Sequence, residues 1–74
     1  MKLEECTKEK LWPILIETVR TLAMYPNHKA YTRDNILQEK PEIAPEELAV
    51  RLNLSLGEAL VILYELALEK NQQA

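Results

Sequence analysis

The feature that most constrains the fold of this chain is its scarcity of residues that make tight turns. Glycine occurs once in 74 residues, at Gly57, and neither Asn-Gly nor Asp-Gly occurs. Antiparallel sheets depend on tight hairpin turns, which these pairs and other glycine-containing turns supply most readily. Because the sequence offers so few of them, we predict an all-α fold.

The length of the chain allows one domain, residues 1–74, with a single core. Cys6 is the only cysteine, which excludes an intrachain disulfide, and His28 is the only histidine, which argues against a zinc site. A glycine-rich phosphate loop is also excluded by the single glycine. We therefore predict no metal, no cofactor and no catalytic residue, and an enzyme is the least favoured class of protein.

The termini and the apolar runs bear on localisation. No apolar run approaches the roughly 20 residues that a membrane-spanning helix needs. The chain begins Met-Lys-Leu-Glu-Glu, which lacks the apolar stretch of a signal peptide. We expect a cytoplasmic protein that does not enter a membrane.

The first third of the chain is predicted to be a helical arm, residues 7–25. Apolar residues recur through it at spacings of four and three, which is the repeat of one helix face. The helix should run from near Thr7 to about Met24, starting near Lys10 or kinked at Pro13, because proline fits only a first turn. Residues 25–29 contain Pro26 and are predicted to be a short linker.

Residues 31–70 are predicted to form a core of three helices. Thr32 can cap the first of them, and Pro41 should end it at about Lys40. The second helix should span residues 45–52, because Pro45 suits a first helical position and two glutamates follow it. The last helix should run from about residue 56 to residue 70.

Residues 45–59, with the sequence PEELAVRLNLSLGEA, resemble the helix-turn-helix of the winged-helix superfamily. Asn53 stands where this family prefers a glycine in left-handed conformation, and asparagine tolerates that conformation. Ser55 is suited to cap the last helix, with Glu58 at the reciprocal capping-box position. The residues assigned to this structural framework are Leu48, Ala49, Leu52, Asn53, Leu54, Ser55, Ala59, Leu63 and Leu66. No hairpin follows, so the wing is predicted to be absent, and an unrelated helical bundle with the same spacing is the alternative.

The outward face of the last helix is unusual for this superfamily. DNA-binding relatives carry polar side chains there, which hydrogen-bond to base edges in the major groove. The face here is apolar, and its residues are the candidate recognition or interface residues Leu56, Leu60, Val61, Tyr64 and Leu68. A helix that is apolar on two sides is normally buried on both. Either the N-terminal helix of the same chain covers this face, or a second chain does, or the assumed helix register is wrong and these residues belong to the core.

Charge bears on the choice between two functions. Residues 30–74 contain four basic and eight acidic residues, a net charge of −4, whereas proteins that bind nucleic acids concentrate basic groups. The resemblance implies a DNA-binding or transcription-regulatory protein. The alternative is a helix-turn-helix unit that serves as a protein-interaction or dimerisation module without binding DNA. A small domain without disulfide or metal gains stability from a second subunit, so we expect a homodimer or a protein partner. In that dimer Glu65 is predicted to be solvent-exposed, so that Glu65→Lys should be harmless.

Overall fold

The architecture is a set of helices packed around the last one. The structure is a computed structural model that describes residues 8–72, and this part of the chain contains no strand, which confirms the all-α prediction. We label the elements in chain order as α1 (Trp12–Arg20), α2 (Tyr25–Tyr31), a π-helical segment (Thr32–Ile36), α3 (Leu37–Glu39), α4 (Pro45–Leu52) and α5 (Leu56–Gln72).

Helix α1 is shorter than the sequence predicts. It begins at Trp12, so that Pro13 lies in the first turn, where a missing N–H costs nothing. Of the two possibilities left open for Pro13, the later start is therefore the one observed, and the predicted start at Thr7 lies outside the described residues. The helix ends at Arg20 and not near Met24, because the next amides bond to carbonyls only three residues back, as Leu22 does to Val19 at 3.0 Å.

The predicted linker over residues 25–29 is wrong, because these residues lie in α2. Pro26 occupies the first turn of this helix, and the amide of His28 bonds to the Met24 carbonyl at 2.9 Å. Thr32 does not cap a new helix, since the helical path continues through it. Its hydroxyl donates instead to the carbonyl of His28 at 2.8 Å.

The helical path widens briefly before it stops. The amide of Leu37 bonds to the carbonyl of Thr32, five residues back, which is the pattern of a π-helical turn. Helix α3 then ends at Glu39, close to the predicted end at Lys40, because Lys40 leaves helical geometry ahead of Pro41. Ile43, in the loop that follows, is buried.

The segment from α4 to α5 has the local structure that the sequence predicts. Helix α4 spans Pro45–Leu52, and Asn53 is left-handed, with φ 56° and ψ 47°. The amide of Leu54 bonds to the carbonyl of Ala49 at 2.8 Å, which closes the turn. The hydroxyl of Ser55 then accepts a hydrogen bond from the amide of Glu58 at 3.1 Å, as an N-cap should. Membership of the winged-helix superfamily remains a prediction.

Helix α5 lies at the centre of the molecule. Residues 58–62 are all buried, and five consecutive residues cover more than one full turn of 3.6 residues. Such a helix is enclosed on every side, here by α1, α2 and α4. The buried hydrophobic residues are Trp12, Val19, Tyr25, Ile36, Ile43, Leu48, Ala59, Leu60, Val61, Ile62 and Leu66.

Candidate functional site

Most of the predicted recognition or interface face of α5 is covered. Leu60 is 5% exposed and Val61 is fully buried, while Leu56 and Tyr64 are half-buried. Only Leu68, which is 43% exposed, meets solvent freely among the five candidates. The structure therefore does not present these residues together as an open surface.

Helix α1 of the same chain covers this face. The Trp12 ring meets the Tyr64 ring edge to face, with ring centroids 5.2 Å apart and planes at 87°. Nearer the start of α5, the side chain of Leu15 lies over Gly57, and a Cβ atom at position 57 would come within 3.0 Å of its Cδ1. The absence of a side chain at Gly57 thus allows α1 to cross close to α5.

The residues assigned to the structural framework lie close to their predicted places. Leu48, Ala59 and Leu66 are buried, whereas Ala49, Leu52, Leu54 and Leu63 are half-buried and Asn53 and Ser55 are exposed. The sequence prediction omitted Ile62, which is fully buried. The unbroken apolar run from Ala59 to Tyr64 could have indicated it, because a helix that is apolar all round is buried all round.

A polar cluster that the sequence reading missed joins three helices. Glu65 of α5 is buried, and its carboxylate accepts hydrogen bonds from Arg20 of α1 and from the Tyr25 hydroxyl of α2. The Arg20 Nε lies 2.9 Å from Oε2, and Lys29 Nζ lies 3.8 Å from Oε1. The prediction that Glu65 is exposed is therefore wrong. Its spacing from the apolar residues suggested a surface position, but charged partners on α1 and α2 compensate its burial.

A second buried carboxylate lies two turns earlier on α5. Glu58 Oε2 is 2.6 Å from Nδ1 of His28, and the Glu58 side chain is buried. Glu58 was predicted to complete a capping box with Ser55. Its amide does bond to the Ser55 hydroxyl, but its carboxylate contacts the α2 imidazole. Glu58 and Glu65 together attach α2 to α5.

These contacts also explain the basic and aromatic residues near the start of α2. Tyr25, His28 and Lys29 face the carboxylates of α5, and Lys29 also pairs with Glu69. Further along, Arg33 Nε lies 2.9 Å from Oδ1 of Asp34. The hydrogen bond with Arg33 holds the pKa of the Asp34 carboxyl below its usual value. The cations of this segment are therefore largely neutralised and do not form a continuous basic surface.

Two depressions mark the surface. The shallower one is lined by Pro13, Ile16, Glu17, Arg20 and Thr21 along α1. The more enclosed one, which we call the α3–α5 groove, has a volume of about 640 Å³ and lies between the π-helical segment, α3, the start of α4 and the C-terminal half of α5.

The described residues also bear on metals and membranes. Within residues 8–72, no three His, Cys, Asp or Glu side chains come together in a way that could hold a metal ion. None of the helices in this range combines the length and the apolar character needed to cross a bilayer. Cys6 lies outside the described residues.

Comparison with known proteins adds no relative. No protein family, no curated protein and no solved structure matches this chain.

Proposed function

We propose that this chain is a small helical protein-interaction module built on a helix-turn-helix-like unit. The observation that carries the proposal is the position of α1 across α5. The face that would enter a major groove is packed against Trp12 and Leu15, so its side chains are engaged inside the fold. A recognition helix has to present free polar side chains to base edges.

Electrostatics supports the same proposal. Phosphate contacts supply most of the affinity of proteins for DNA, and they require accessible cations. The segment from residue 30 to residue 74 has a net charge of −4, and several of its basic groups already pair with carboxylates, as Lys40 does with Glu47 at 2.6 Å. A duplex would meet more repulsion than attraction at this surface.

The exposed apolar residues of α1 and its flanks provide a contact surface, and we propose a second copy of this chain as its occupant. Leu11 is 69% exposed and Ile14 is 58% exposed on one side of the helix, the side opposite its core residues. Lys10 and Glu17 are spaced by seven and flank that side, so two antiparallel copies would place each lysine beside the partner's glutamate. The surface is small, which predicts a weak dimer and not an obligate one.

A DNA titration tests the proposed class. Fluorescence anisotropy with a labelled mixed-sequence duplex is expected to show only weak binding, even at low salt. Submicromolar affinity at physiological salt would overturn the interaction module and restore a DNA-binding regulator. Arg51→Gln, which removes an exposed cation on α4, serves as the matched variant: if phosphate contacts contribute, its salt dependence will be shallower than that of the wild type.

Sedimentation across a concentration series tests the second copy. The average mass of the wild type should rise with concentration, and Ile14→Glu should remain monomeric at every concentration without loss of helix content. Val50→Glu introduces the same charge at an exposed site on α4 and is the control. A wild type that is monomeric throughout would exclude the homodimer and leave a different protein as the partner.

A further inference from the structure

The α3–α5 groove has an apolar floor that the packing of the fold does not fully cover. Its apolar lining comes from Leu37, Ile43, Pro45, Leu63, Leu66 and Ala67. Leu37 and Leu63 are only half-buried, and Ala67 is exposed. The volume of about 640 Å³ is of the size that admits a few large apolar side chains.

The rim of the groove carries positive charge within an acidic protein. Arg33 and Lys70 lie on the rim, and the carboxylate that shares it, Glu69, is neutralised by Lys29. Asp34 contacts the Nε and Nη2 atoms of Arg33, which leaves further N–H donors of the guanidinium. Within the described residues Lys70 forms no ion pair.

We propose that the α3–α5 groove binds an acidic amphipathic helix of a partner protein. This inference rests on the proposed function and specifies its partner. Grooves formed between helices take up the apolar face of a partner helix through anchors at positions i, i+3, i+4 and i+7. Carboxylates on the flank of that helix would then meet Arg33 and Lys70.

The net charge of −3 does not argue against an acidic partner. At physiological salt, charges further apart than about 8 Å are largely screened when both are exposed to solvent. The two rim cations therefore determine which charge is preferred at the groove, and the more distant glutamates of α4 contribute little. A basic helix would meet these cations without compensation, which gives the groove its preference.

A peptide-display selection tests this proposal without knowledge of the natural partner. A library of helix-forming peptides with random side chains is selected on the full-length wild type, and the enriched peptides are measured by fluorescence anisotropy. We expect apolar anchors at i, i+3 or i+4, and i+7, together with an excess of Asp and Glu. Ala67→Glu, which places bulk and a negative charge in the groove, should weaken their binding at least about tenfold. Val50→Glu makes the same charge change outside the lining and should leave binding unchanged.

Charge reversal at the rim separates recognition from a general effect on folding. Arg33→Glu and Lys70→Glu lie at exposed positions and should each weaken the acidic peptides about two- to fivefold. The same peptides with lysine in place of their acidic residues should bind the double variant better than the wild type. Selection of no peptide, selection of basic peptides, or equal binding to the wild type and Ala67→Glu would each overturn the groove proposal. Peptides that bind Ala67→Glu as well as the wild type would leave the interaction module standing, whereas tight duplex binding would overturn the module itself.

Discussion

Leu15 of α1 lies directly over Gly57 of α5, so close that a Cβ atom on the glycine would come within 3.0 Å of the leucine side chain. The single glycine of the chain thus occupies a point where two helices cross, not a turn. The contact lies at the edge of the α5 face that a DNA-binding relative would use for recognition. The same crossing brings Trp12 over Tyr64 and closes that face from solvent.

The crossing predicts opposite effects of a small and a large side chain at position 57. Gly57→Ala should change the free energy of unfolding by less than about 1 kcal/mol, because the gain in helix propensity offsets a contact that the flexible Leu15 side chain can relieve. Gly57→Val should destabilise the fold by about 1–3 kcal/mol through overpacking. Urea unfolding followed by circular dichroism measures both. Leu15→Ala combined with Gly57→Val should recover part of the loss, and a valine variant as stable as the wild type would contradict the close crossing.

The burial of Glu65 predicts that its replacement is harmful. Glu65→Lys should cost about 3 kcal/mol or more, because it places a third cation beside Arg20 and Lys29 and leaves them without their carboxylate. Glu65→Gln should cost less, since the amide retains hydrogen bonding to Tyr25 and introduces no repulsion. Thermal unfolding provides the comparison. Glu17→Lys makes the same charge change at an exposed position of α1 and should stay within about 0.5 kcal/mol of the wild type. Equal effects of the two lysine substitutions would contradict the buried cluster.

The environment of Trp12 predicts an asymmetry between two substitutions. Its ring is buried, and within the described residues its indole N–H has no hydrogen-bond partner. Trp12→Ala should cost about 3–5 kcal/mol, because it leaves a cavity against Tyr64. Trp12→Phe should cost far less, since it removes an unsatisfied buried donor along with part of the ring. Chemical unfolding followed by far-ultraviolet circular dichroism distinguishes them, and a phenylalanine variant as unstable as the alanine variant would show that the indole N–H does have a partner.

The left-handed turn at Asn53 predicts a strong dependence on backbone freedom. Asn53→Gly should be neutral or stabilise the fold by up to about 1 kcal/mol, because glycine reaches φ 56° without strain. Asn53→Val should cost about 1 kcal/mol or more, because a branched side chain clashes with the backbone in this conformation. The side chain of Asn53 is exposed, so the comparison is free of packing effects. If valine were tolerated as well as glycine, the turn would have a different backbone conformation in solution.

Local chemistry made the segment from α4 to α5 predictable. Proline in a first turn, asparagine in a left-handed turn and serine at a helix start each act through their own backbone or that of residues a few positions away. The bounds of α4, the conformation of Asn53 and the cap at Ser55 therefore follow from neighbouring residues alone. The scarcity of glycine and the helical spacing of the apolar residues likewise determined the all-α class.

Residues far apart in sequence decided the rest. The sequence showed that the outer face of α5 needed a cover, but only the packing of α1 shows that the same chain provides it. Glu65 reads as a surface residue until Arg20, forty-five positions earlier, is placed beside it. The residues of α2 read as a linker, because Pro26 disfavours helix at the preceding residue, yet Tyr25 and His28 gain buried carboxylate partners on α5 when α2 is helical. Patterns of neighbouring residues determine which helices can form, whereas the pairing of charges and rings between helices depends on which of them meet, and that is decided only when the whole core is assembled.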